Sequence, residues 1–363
     1  MALRRAFTTA SAPEGALHGV GAESHAVKAR GKGFTIVELL IVIVVIGSLA
    51  AITIVSYTGI TNQANLAAQS SDIAQWQRKA ALHRVQNGVD NCPAGYSFVY
   101  GNSVLGTSDF CVMKYEAKNV GGVATSQASG APWTSINQTD AITAATATGG
   151  HLITEAEWMT VAADVLSVRH NWSGGAVGSG IIYQGHANND PASPLAASQD
   201  DSETLHGMTG GIGTSFGNNS SRVLYLSSGD AIWDFSGNVW EWTQQAVGTP
   251  TLAMSNVGVP GDSGFNYRDY SLGSLSLGNL LTVSRPTTLN AWTNPTNNAS
   301  LSGIAWNASN GVGRVYANYS DTSSRPFRRG GSFTSSTSAG VSALVLSNTA
   351  VSTGVDIGFR AAR

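Results

Sequence analysis

Hydrophobic and polar positions divide the chain into two parts of different character. Residues 34–57 read FTIVELLIVIVVIGSLAAITIVSY, and about 22 mostly apolar residues from Phe34 onward suffice, as a helix, to cross ~30 Å of hydrocarbon. The run predicts a membrane span. Lys28, Arg30 and Lys32 lie just before it, so that side is expected to stay cytoplasmic and the C-terminal bulk to lie outside. A secretory signal peptide is the rival reading, but the run is too long and lacks a small-x-small site in the usual position. Residues 1–33 are polar and irregular, and are expected not to fold.

Residues 65–86 are rich in helix formers, with Leu66, Ile73, Trp76 and Ala80 at helical spacing. The helix should therefore continue to about Val85, giving a stem of roughly 80 Å at 1.5 Å per residue. Asn87-Gly88-Val89-Asp90 should end it. Farther on, Thr154 followed by Glu157 forms a capping box before apolar Trp158, Val161, Ala162 and Val165, which predicts a second helix. Trp240 and Trp242 in the segment 234–242 share one face of a short strand. Residues 334–356 alternate apolar Val341, Ala343, Leu344, Leu346 and Ala350 with hydroxyls and amides. This reads as framework bearing decoration, since short polar side chains form adaptable hydrogen bonds at modest entropic cost.

Composition narrows the function classes. Only 12% of the 363 residues are charged and the net charge is −2, with no basic run. That removes the electrostatic footprint of a nucleic-acid binder. The two cysteines, Cys92 and Cys111, fall on the expected external side, where oxidation to a disulfide is favoured; two buried thiols are the alternative.

The segment Lys32-Gly33-Phe34-Thr35-Ile36-Val37-Glu38-Leu39-Leu40 resembles the processing site of type IV prepilins. The resemblance implies removal of leader 1–33 by a prepilin peptidase, cleavage between Gly33 and Phe34, and methylation of the new Phe34 amine. Glu38 would then pair with the terminal amine of a neighbouring pilin subunit. An acidic group in hydrocarbon costs on the order of 3 kcal/mol alone, and an opposite buried charge offsets that penalty. A snorkelling interfacial glutamate is the plainer alternative. Residues 34–88 would then form the membrane helix and stem, and localisation would pass from membrane to pilus or cell surface.

From Cys92 onward, Asp234-Phe235-Ser236-Gly237-Asn238-Val239-Trp240-Glu241-Trp242, Arg329-Gly330-Gly331-Ser332 and Gly358-Phe359-Arg360 occur in an order that resembles formylglycine-generating enzymes and their non-catalytic relatives. The implied fold is α+β: the long N-terminal helix, then a C-type-lectin-like head over 89–363 with much irregular loop, notably 174–225 and 248–319. Catalytic members of that family hold copper through a cysteine pair close after the RGGS frame. Here Phe333, Thr334, Ser335 and Ser336 follow it, so the thiolates such chemistry needs are absent, and no cofactor is expected.

Within the head, RGGSF…AGVSALVLSN…IGFRAAR resembles the variable region, about 329–360, of target proteins of diversity-generating retroelements. In that family template adenines are copied to any base, so asparagine codons yield many residues but never Lys, Glu, Gln, Met or Trp. Residues 334–356 contain none of these. The resemblance implies ligand-binding positions at Phe333, Thr334, Ser335, Ser338, Ser342, Val345, Ser347, Asn348, Ser352, Gly354 and Asp356. An ordinary Ser/Thr/Gly-rich loop would satisfy the same composition test.

Other chemistry is weakly encoded. His83, His151, His170, His186 and His206 lack zinc-ligand spacing, and no metal site is expected. Asp200, Asp201, Glu203, Asp230 and Asp234 are oxygen donors fit for calcium, but a solvated acidic turn explains them as well. Trp240 and Trp242 fit core better than a sugar platform, and Arg329 and Arg360 are expected to bond backbone carbonyls. The leading reading is a non-enzymatic, pilin-anchored binding protein with a protein or glycan ligand; a purely structural pilin and an oxidase are the alternatives.

Overall fold

The computed structural model describes residues 33–88, 92–198, 221–245, 247, 251–281, 283 and 307–363. Residues 1–32 of the expected leader, and Asp200, Asp201, Glu203 and His206, lie outside the described residues. The chain forms two units, Met1–Thr61 and Asn62–Arg363.

The first unit contains most of the apolar part of helix α1, Ile36–Gln86. Thr35 caps this helix: its N and Oγ1 donate to the Glu38 carboxylate at 2.9 and 2.8 Å, and Glu38 N donates back to Thr35 Oγ1 at 3.2 Å. Ile36–Ile54 has a mean hydropathy of 2.7 and is fully uncovered, long and apolar enough to cross a membrane.

The second unit begins with the polar part of α1. Ile73 is buried there, Trp76 packs on His170 and Tyr225 at ring distances of 5.3 and 6.1 Å, and Arg84 forms a bidentate pair with Asp230 at 2.9 and 3.0 Å. The chain then builds β1 (Tyr96–Val99), β2 (Phe110–Met113), β3 (Lys118–Val120), β4 (Val123–Thr125), α2 (Gln138–Thr146), β5 (His151–Leu152) and α3 (Glu155–Ser167). Cys92 and Cys111 are joined, tying the start of the head to β2. The capping box at α3 is present, with Thr154 and Glu157 bonding reciprocally.

Short strands follow: β6 (Val223–Tyr225), β7 (Ala231–Trp233), β8 (Trp240–Thr243), β9 (Leu252–Ala253), β10 (Val257–Gly258), β11 (Asn266–Arg268), β12 (Ser276–Leu277), β13 (Val315–Ala317), β14 (Ser324–Arg325), β15 (Phe327–Gly330), β16 (Gly340–Val345), β17 (Ile357–Phe359) and β18 (Ala361–Ala362). The largest sheet runs β11-β13-β16-β15-β8-β17, and a four-stranded sheet runs β1-β2-β18-β5.

Register in the six-stranded sheet places Tyr267, Tyr316, Val345, Arg328, Trp242 and Phe359 in one row across all six strands. Side chains in such a row share a face. This face packs under α2 with Ile136, Ala141 and Ala145. The opposite face carries Val315 and Leu344 onto α3, where Trp158 stacks on Phe235 at 4.0 Å and donates through its indole nitrogen to Val341 O at 2.8 Å. With both faces covered, every residue of β16 is buried. The alternation read as core against decoration is, over this strand, an alternation between two cores.

Candidate binding face

Two buried arginines hold the frame around the 334–356 segment. Arg329 donates to the Glu155 carboxylate at 2.6 and 3.1 Å and to Ser342 O at 3.0 Å. Arg360 pairs with Glu241, one contact at 2.6 Å, and donates to Met113 O and Trp233 O at 3.0 and 3.1 Å. Backbone carbonyls were expected; the carboxylates were not. Their only signal was an acid inside an apolar stretch, Glu155 before Trp158 and Glu241 between two tryptophans. Burial raises the Glu241 carboxyl, with Arg360 pulling against that shift.

Beside Arg360 lies a second buried group of charges. Arg222 clasps Asp234 at 2.5 and 2.7 Å, and Glu116 accepts from Asn238 Nδ2 at 2.6 Å and Val239 N at 3.1 Å. Burial, reinforced by Asp234, holds Glu116 well above the usual carboxylate range, while burial pushes Lys118 down. Asp230 and Asp234, read as possible calcium donors, are thus engaged by Arg84 and Arg222.

The residues read as ligand-binding do not form one surface. Phe333, Ser338, Ser342 and Val345 are buried, which corrects their assignment to an exposed face. Ser342 and Val345 belong to the doubly covered β16, and Phe333 stacks on His186 at 6.0 Å. Of the remaining positions, Ser347 and Asn348 follow the far end of β16, and the crossing then returns so that Asp356 enters β17 at the end of the sheet where Thr334 and Ser335 precede β16. Before the strand, Thr334 is exposed and Ser335 half-buried in a tight turn; after it come Ser347, Asn348, Ser352, Gly354 and Asp356, all half-buried. Gly331 makes the first turn possible: its φ is +100°, and a Cβ there would lie 2.6 Å from that of Ala339.

The 347–356 run carries the outward-facing chemistry. It connects β16 to β17, two strands separated in the sheet by β15 and β8, and so must cross them. The crossing is held through main-chain carbonyls. Ser347 O accepts from Arg325 Nη1 at 3.0 Å, Ala350 O from Gln138 N at 3.1 Å, Gly354 O from Ser135 N at 2.9 Å and Asp356 O from Trp240 N at 2.8 Å. Side chains alternate along it, and the exposed ones are Thr349, Val351, Thr353 and Val355, which the reading from sequence had omitted. Composition could not identify them, because exposure here follows the alternation of a crossing segment pinned on one side.

Where the crossing begins, the sheet presents an aromatic floor. Tyr267 and Tyr316 pack at 4.5 Å, Phe265 lies 5.7 Å from Tyr316, and the Arg328 guanidinium lies over Trp240 and Trp242 at 5.5 and 5.8 Å. Burial lowers Arg328 to about 10, against the pull of Asp356 and the two tyrosines, so it remains charged at neutral pH.

An apolar helix feeding a mixed sheet with two arginine-pinned strands and a decorated crossover defines a pilin-type anchor carrying a C-type-lectin-like head. The chain belongs to the family of the sulfatase-modifying factor enzyme 1-like domain, whose model matches residues 94–363, and its N-terminal part belongs with the type IV pilins. The prokaryotic N-terminal methylation motif matches residues 28–54. Over 80 residues the chain is 38% identical to the type IV narrow pilus major component PilA5 of Thermus thermophilus, covering 22% of this chain and 69% of that protein. Among solved structures, the Major Tropism Determinant U1 variant aligns at 13% identity with a TM-score of 0.28, covering 75% of this chain and 52% of that one. The chain thus spans about half the length of that protein. Treponema denticola variable protein 1 aligns at 12% identity and a TM-score of 0.27, covering 75% and 92%.

Proposed function

We propose that this pilin-like surface protein displays its head outside the cell and binds a ligand through the 347–356 crossing, whose side chains are rewritten by a retroelement. The carrying observation is the mode of attachment: four main-chain carbonyls hold the crossing, and carbonyls are the same whatever side chain follows. Thr349, Val351, Thr353 and Val355 can therefore change without removing a bond between the segment and the framework; the one side-chain bond among them, Thr349 Oγ1 to Ser352 Oγ at 3.1 Å, lies within the segment. The turn at Thr334 and Ser335, at the end of the sheet where the crossing enters β17, is a secondary contact point.

Anchoring follows from the N-terminal motif: cleavage between Gly33 and Phe34, then assembly with other pilin subunits through the apolar helix, with Glu38 facing the partner's amine. The head works without catalysis. Its two cysteines are bonded to each other, and hydroxyls rather than thiols follow the Arg329-Gly330-Gly331-Ser332 frame.

The test is a binding screen of the purified full-length protein, in detergent, against protein and glycan arrays, repeated with a variant in which Thr349, Val351, Thr353 and Val355 are exchanged together. A changed profile with unchanged folding supports recognition by the crossing, and an identical profile rejects it. Sequencing the locus tests diversification: absence of both a near-copy of the codons for 329–360 and a reverse transcriptase gene rejects that part alone.

A further inference from the structure

Arg328 is an anomaly in an otherwise closed ledger of charges. Arg222, Arg329 and Arg360, the other deeply buried arginines among the described residues, each pair with a carboxylate. Arg328 is 8% exposed, its Nε is buried without a hydrogen-bond partner, and among the described residues no ion pair reaches it. A buried guanidinium with open donors is costly, since burial removes water without supplying acceptors. The two indoles beneath it repay only part of that cost through their π faces. The residue lies outside the 334–356 segment, on the rigid strand β15, and in register between Val345 and Trp242.

We infer that Arg328 is a fixed anchor for a carboxylate of the ligand, specifically a Glu or Asp side chain projecting from a partner protein. A guanidinium fork matches a carboxylate in plane and spacing, and low local dielectric strengthens the pair. With only 8% of Arg328 exposed, a group on a narrow stem is what can reach the guanidinium, and an acidic side chain provides one. The crossing favours a protein over an acidic saccharide: its Val351 and Val355, 77% and 68% exposed, offer apolar tips that a protein surface would cover. Asp356, half-buried at the end of the crossing, tempers the positive potential at this point and competes with the incoming acid. Its identity sets the strength of the anchor, so one variable position tunes a constant one. This inference rests on the display reading only for the nature of the partner.

The test uses the full-length protein in detergent micelles with small probes and saturation-transfer NMR. Acetyl-glutamate amide should receive saturation from the wild type at least tenfold more strongly than acetyl-glutamine amide, and more strongly than glucuronate. Arg328→Met should abolish that difference, and Asp356→Asn, at a half-buried position, should tighten binding several-fold. Equal response to the acid and the amide, preference for glucuronate, or an unchanged response in Asp356→Asn would each overturn the inference. Should Arg328→Met fail to fold, the wild-type probe series and Asp356→Asn still decide. A partner profile that shifts when the crossing is exchanged, alongside probes that ignore Arg328, would end this inference and leave the display reading intact.

Discussion

Strand β16 and the crossing that follows it have similar compositions and opposite physical roles. Residues 340–345 read GVSALV and residues 347–356 read SNTAVSTGVD, both built of small apolar and hydroxylated side chains. The strand is enclosed between two cores and flanked by the Arg329–Glu155 pair, whereas the crossing touches the framework through carbonyls and turns every second side chain to solvent. Both segments are bonded through their main chains, and what distinguishes them is that the strand's side chains pack into two cores while every second side chain of the crossing faces solvent. The first arrangement fixes sequence and the second releases it.

The sharpest way to break the contrast is to strike the frame. Arg360→Met leaves the Glu241 carboxylate buried and unpaired, and the expected loss is about 3–5 kcal/mol in denaturant unfolding. A loss below about 1 kcal/mol would show that the pair does not hold the fold. Leu344→Ala opens a cavity in a fully buried site and should cost about 2–5 kcal/mol, read as a lower unfolding midpoint with unchanged m-value.

A third variant probes the framework through pH. Burial raises the Asp164 carboxyl to about 6, against hydrogen bonds from Ser227, whose main-chain nitrogen lies 3.1 Å away. Because the folded value lies above the unfolded one, the favourable contribution is complete below about pH 4 and is lost as pH rises through about 6. Asp164→Asn should therefore gain roughly 2 kcal/mol on the wild type between pH 4 and 7, a change seen by comparing unfolding midpoints at the two pH values. A pH-independent difference would contradict the assignment. The smallest effect belongs to the crossing: Thr353→Ala or Val355→Ser should shift stability by no more than about 0.5 kcal/mol.

The helices around this contrast were legible in the sequence, and the contrast itself was not. Helix α1, its end near Gly88 and the capping box at Thr154 follow from local periodicity and capping chemistry, which a sequence displays directly. The paired frames were legible as motifs, but the acids opposite them were not, because Glu155 lies 174 residues from Arg329 and no local rule joins them. Of the positions read as ligand-binding, Phe333, Ser338, Ser342 and Val345 are buried, and the exposed side chains of the crossing were not among those named. A Ser/Thr-rich run looks the same whether it is a central strand or a surface crossing, and only the sheet order, with β15 and β8 between β16 and β17, tells which it is.

The measurement that bears most directly on main-chain anchoring is a combined exchange of Thr349, Val351, Thr353 and Val355, followed by denaturant unfolding and the binding screen on the same sample. The account predicts an unfolding free energy within about 1 kcal/mol of the wild type, as expected for exposed sites, together with an altered set of bound partners. Loss of several kcal/mol, or an unchanged set of partners in a stable protein, would contradict it.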